Sequence, residues 1–138
     1  MVGLILKSNP FRLLIVPEAI KDADNLKIRN NLANITNICG DCAETLPKLA
    51  KKLKGEKDLI LILDPPRKGV DAKVIGAISE LKPKKIIYVS CDSSTLSRDV
   101  RLILNNNEGY KITRVSPFDM FPQTRHVETL LILEKEKN

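Results

Sequence analysis

The stretch DLILILDPPRKGV, residues 58–70, is a run of leucine and isoleucine that ends abruptly in an acid and two prolines. From 59 to 63 no polar residue interrupts it. A strand without a polar face is covered on both sides, as the central strands of a parallel sheet are. A second such run, IIYVS at 86–90, ends at Cys91 and passes into the polar-flanked helical pattern CDSSTLSRD. Two buried strands, each followed by a helix, predict an α/β sheet.

Working outward, further strands are expected at about 12–16 (RLLIV), 35–39 (ITNIC), 110–116 (YKITRVS) and 127–133 (VETLLIL). Helices fill the gaps. One starts at Pro17, a residue suited to a first helical turn, and runs to about Leu32. Another covers roughly 43–53. A third follows Asp71 with Val74, Ile75, Ile78 and Leu81 on one face and stops before Pro83. The fourth follows Ser93 and Ser94, candidate caps, and carries Leu96, Val100, Ile103 and Leu104 at helical spacing. No helix fits between the last two strands, because PFDMFPQTRH, 117–126, reads as a loop. The final strand therefore runs antiparallel to its predecessor.

In an open α/β sheet, ligands bind at the carboxyl ends of the parallel strands. Asp64 and Cys91 follow two such ends, and Glu128 opens the last strand at the same edge. Three reactive side chains are thus expected on one rim.

The chain has 138 residues, 43% hydrophobic, which suits one domain with one core. Its formal net charge of +6 fits an acidic partner such as RNA and equally a solvated lysine-rich surface. Aromatics are only 4%, with no Trp, so a platform stacking several bases is not expected. The opening MVGLILKSNPFRLLIV is broken by Lys7, Pro10 and Arg12, too charged for a membrane span or a secretory signal. Three cysteines, an odd number, predict free thiols in a reducing compartment, the cytoplasm.

Each candidate motif has two readings. Asp64-Pro65-Pro66 is either a strand-ending turn or a rigid, donor-poor frame that holds a carboxylate and a carbonyl against a planar base. Cys91 is either a packing thiol or one whose pKa is lowered by a helix N-terminus, with Arg98 adding charge. Asp119, His126 and Glu128 lie beside two phenylalanines and a methionine. A single histidine without paired spacing argues against a metal, and a semi-enclosed acid suits proton abstraction better than a solvated one. Cys39-Gly40-Asp41-Cys42 lacks the second ligand pair that structural zinc needs, leaving unremarkable thiols or a redox pair.

Together, DPPRKG at 64–69, YVSCDSSTLSRD at 88–99 and DMFPQTRHVE at 119–128 resemble the uracil-5 RNA methyltransferases, the S-adenosyl-L-methionine-dependent family that makes 5-methyluridine in ribosomal and transfer RNA. IVPEAIKDA at 15–23 and ICGDCAETL at 38–46 extend the similarity over about residues 15–134. The resemblance implies a Rossmann-like class I methyltransferase fold, mostly parallel with an antiparallel last strand. It implies Cys91 as nucleophile and Glu128 as the base that removes the C5 proton. Asp41, Asp64 and Pro65 would bind S-adenosyl-L-methionine, while Pro66, Arg67, Arg98, Asp119 and His126 would contact the base or support the site. The partner would be RNA, ribosomal rather than transfer by the wording of the motifs, with no metal and no membrane.

Family members carry a long portion ahead of this similarity, including a first strand and a Gly-rich cofactor loop. Residues 1–138 are therefore expected to be a partial catalytic domain, N-terminally truncated, with residues 1–11 matching only the end of the family's first helix. Leu14 stands where an acid for the cofactor ribose is expected. A non-catalytic RNA-binding fragment, or one that pairs with a partner through its incomplete sheet, is the alternative. An amino-methyltransferase is a third reading, opposed by the Cys91 and Glu128 pair.

Overall fold

The computed structural model describes residues 1–6, 9–120, 122–124 and 127–136, with the backbone alone for 4–6. In chain order the elements are β1 (Val2–Leu6), β2 (Asn9–Leu14), α1 (Pro17–Arg29), β3 (Thr36–Cys39), α2 (Cys42–Lys52), β4 (Leu59–Leu63), α3 (Ala72–Leu81), β5 (Lys85–Ser90), α4 (Ser93–Asn106), β6 (Tyr110–Phe118) and β7 (Glu128–Lys135). The strands form one sheet in the order β3-β2-β1-β4-β5-β7-β6. β2 and β3 pair in parallel, as do β4 and β5, while β7 runs antiparallel to both β5 and β6.

The two apolar runs are central, as expected, but only one of their faces is fully covered. Leu59, Leu61 and Leu63 of β4 are buried with Ile86 and Tyr88 of β5 and Leu131 and Leu133 of β7. They join Leu46 and Ala50 of α2, Val74, Ile75 and Ile78 of α3, and Leu96, Val100 and Ile103 of α4 in one core. The alternate residues Ile60, Ile62, Ile87, Val89, Leu130 and Ile132 point to the other face and are only half-buried. Helix α1 packs against β2 and β3 outside that core, with Ala23 its single buried residue.

The amino-terminal expectation is corrected. Residues 2–6 form a strand rather than the tail of a helix, and β2 starts at Asn9 rather than near Arg12. β1 lies antiparallel between β2 and β4, with Val2 opposite both Leu13 and Leu63. Only two residues separate β1 from β2, and so short a link permits only an antiparallel pair. The sheet thus has a second antiparallel strand, at its centre. β6 also runs on through Pro117 and Phe118, which were expected in the loop, because both pair with β7.

Candidate active site

The rim above β4 and β5 is built by register. Leu63 lies beside Tyr88 in the β4–β5 pair, and Ser90 faces Thr129 at the last rung of β5–β7. Cys91 and Glu128 are each one residue past that rung, at the same edge of neighbouring strands. Asp64, the residue after β4, and Glu128 line a single cleft of about 380 Å³ with Val89, Phe118, Met120 and Leu130. Asp64 is exposed, whereas Cys91 and Glu128 are half-buried. Asp119 is exposed and is not a wall of this cleft; its neighbours Phe118 and Met120 are. Arg67 is exposed on the loop after β4. His126 lies outside the described residues.

A tight turn carries Cys91 into α4. The Ser90 hydroxyl donates to the Asp92 carbonyl at 2.9 Å and accepts from the Asp92 amide at 3.1 Å, closing the turn around the cysteine. The cap is Asp92, not Ser93 or Ser94. Its Oδ1 accepts from the amides of Ser94 at 3.0 Å and Thr95 at 2.9 Å. Hydrogen bonds from the Ser94 hydroxyl and these amides hold its carboxyl down at about 2. The amides of Ser94 and Thr95 at the start of α4 are therefore taken by Asp92.

Arg98 is engaged by its neighbours. Its guanidinium turns to Asp99 Oδ1, through Nε at 2.9 Å and a terminal nitrogen at 2.7 Å, and reaches the Lys68 carbonyl at 2.8 Å. Asp99 is 0% exposed. Its other oxygen, Oδ2, accepts from the Tyr88 hydroxyl at 2.6 Å and the Val70 amide at 2.8 Å. Burial, reinforced by this bond, pushes the Tyr88 phenol far above its ordinary range. Sequence reasoning missed Asp99 and Tyr88. The available signal was an acid on an apolar helical stripe, three residues after Leu96 and four before Ile103.

The loop 64–70 has a second side. Pro65, Pro66 and Val70 face Ile15, Asp41 and Cys42 across a pocket of about 230 Å³. Asp41 caps α2, its Oδ1 accepting from the Ala43 amide at 2.8 Å. Burial pushes the Cys42 thiol up, and Cys39, Cys42 and Cys91 are all free.

Residues 43–136, from the start of α2 through β7, match the family described as tRNA (uracil-5-)-methyltransferase. The chain belongs to this family. Relatives of the chain include proteins described as uncharacterized RNA methyltransferases from Enterococcus faecalis, 37% identical over 97% of the chain, and Clostridium acetobutylicum, 39% identical over 97%. The chain spans about 29% of the length of each. Among solved structures, the Pyrococcus abyssi tRNA (uracil-54, C5)-methyltransferase in complex with S-adenosyl-L-homocysteine superposes with a TM-score of 0.74 at 29% identity, covering 89% of this chain and 28% of that one.

The second pocket gathers two of the three residues expected to bind the cofactor, Asp41 and Pro65. Its walls are the apolar side chains of Ile15, Pro65 and Val70, and Asp41 places acceptors at its rim. Leu14, in the position expected to carry an acid for the ribose, offers no acceptor side chain.

Proposed function

We propose that this chain is the carboxyl-terminal part of a catalytic domain that methylates C5 of a uridine in RNA, working in the reducing cytoplasm with S-adenosyl-L-methionine as cofactor. The observation that supports this reading most is that Asp64 and Glu128 share one cleft while Cys91 stands one step past the last β5–β7 rung.

Uracil C5 is a weak nucleophile, so the Cys91 thiolate first adds to C6, moving the ring electrons toward C5 and O4 as an enolate. The bound cofactor supplies an electrophilic methyl group. Glu128 takes the C5 proton onto its carboxylate. The C5–H electron pair restores the ring double bond, the C6–S bond breaks, and the thiolate leaves. The base must leave its stack to reach Cys91, and Phe118 and Met120 offer it an apolar wall. Asp41 would lie near the cofactor's adenine, and Asp64 and Pro65 would line the cofactor and base site. Pro66, Arg67, Arg98, Asp119 and His126 support the site.

The motif wording favours ribosomal RNA over transfer RNA as substrate. The test therefore uses both RNAs, each containing 5-fluorouridine, with S-adenosyl-L-methionine. Fluorine at C5 cannot leave as a proton, so a denaturation-resistant adduct accumulates on the wild-type chain and not on Cys91→Ala. An RNA complex that never traps defeats the reading.

A second reading is a fragment that binds RNA without catalysis, or is completed by a partner. Two observations favour it: the 29% share of the relatives' length, and the antiparallel β1 at the centre of the sheet. Under it, trapping appears only when the remaining portion of a relative is added in trans.

A further inference from the structure

We propose that Asp99 is a positioning residue that clamps the loop 64–70 to the strand and helix flanking Cys91, so that the cleft wall and the pocket wall move as one piece. The proposal rests on the functional reading above only for its consequence in catalysis.

Four hydrogen bonds from three groups engage the two oxygens of the Asp99 carboxylate. Oδ2 takes the Val70 amide from the loop and the Tyr88 hydroxyl from β5. Oδ1 takes the Arg98 guanidinium, which itself donates to the Lys68 carbonyl. The loop is thus gripped on both sides of Gly69, by an amide at 70 and a carbonyl at 68. Gly69, between them, has φ +80°, and a Cβ there would collide with the Asp99 carboxylate and the Arg98 guanidinium. The close approach leaves room for no side chain. A fully buried charge at this junction is retained at a desolvation cost and, once a partner is lost, leaves uncompensated donors. What it holds is the segment whose first residue, Asp64, lines the 380 Å³ cleft and whose Pro65, Pro66 and Val70 line the other pocket.

Hydrogen–deuterium exchange on the whole chain tests the clamp. Asp99→Asn keeps the shape, but its NH2 must face a donor whichever way it turns. The amides of residues 67–70 are expected to exchange about tenfold faster or more, the scale of one lost hydrogen bond to a buried charge, while amides around Ile78 in α3 keep their wild-type rates. If 67–70 keep wild-type rates, or quicken only as much as α3, the clamp is wrong and Asp99 serves overall stability alone. Should Asp99→Asn fail to fold, Tyr88→Phe, which removes one hydroxyl, carries the same comparison. Titration with S-adenosyl-L-homocysteine separates the two ideas. Tighter binding by wild type than by Asp99→Asn, by about tenfold on the same scale, supports the consequence for the site. A wild type that binds none counts against the proposed function and leaves the exchange result to decide the clamp.

Discussion

Phe118 stands directly across the β6–β7 ladder from Glu128, so an aromatic ring and the proposed base share one rung of the cleft. The ring is 45% exposed and Met120 64%, so both present apolar surface at this cleft. Replacing Phe118 by Ala is expected to weaken RNA binding by the worth of one stacked base, about 1–3 kcal/mol, with little change in melting temperature. Fluorescence anisotropy with a short uridine-containing RNA measures it.

Glu128→Gln separates addition from release. The variant keeps the shape of the cleft and loses the proton acceptor, so Cys91 still adds to C6 but the C5 proton stays. A covalent complex with ordinary uridine RNA is then expected to accumulate on denaturing gels, with turnover lower by about 10²–10⁴-fold. Equal turnover in both proteins would remove Glu128 from the mechanism.

The Asp92 cap gives a pH dependence with a definite sign. Its carboxyl is held at about 2, below the ordinary 3.8. A depressed folded-state pKa contributes stability that is present above about pH 4 and is lost as the pH falls toward 2. Asp92→Asn, which still accepts from the α4 amides, is expected to flatten that part of the melting-temperature profile. Asp92→Ala should lower melting at neutral pH as well, since the amides of Ser94 and Thr95 lose their acceptor.

Ile78 is fully buried where α3 meets the central strands. Ile78→Ala is expected to cost about 2–5 kcal/mol in urea unfolding, the range for such a truncation in a packed core. An equal cost at exposed Ile28 would contradict the placement of the core.

Cys39 and Cys91 should behave differently. Cys39 is exposed and lines neither cleft, its Sγ directed at the Ile15 carbonyl. Cys39→Ser is expected to leave 5-fluorouridine trapping unchanged while Cys91→Ala abolishes it, both scored by gel shift.

Much of this architecture was legible in the chain. The apolar runs at 59–63 and 86–90 became β4 and β5, and the stripe from Val74 to Leu81 became the buried face of α3. The helix before Pro83 ends as read, on Lys82 with φ +46°. The cap of α4 was misplaced by one residue because Asp92, Ser93 and Ser94 are all good caps, and only the geometry of the turn after Ser90 selects among them. β1 was not foreseen, since VGLIL is too short and too lightly patterned to separate a strand from a helix end without its partners.

The sequence by itself determined the alternation of strands and helices, the antiparallel last strand and the rim on which Asp64, Cys91 and Glu128 would fall, because periodicity and short links are local properties. Tertiary structure alone decided that residues 2–6 lie between β2 and β4 in the sheet and that the Arg98 guanidinium binds Asp99 and the Lys68 carbonyl. These outcomes depend on pairings such as Val70 with Asp99, 29 residues apart, and Arg98 with Lys68, 30 apart. No local pattern encodes them, because a buried carboxylate takes whichever donors the packed fold brings within reach.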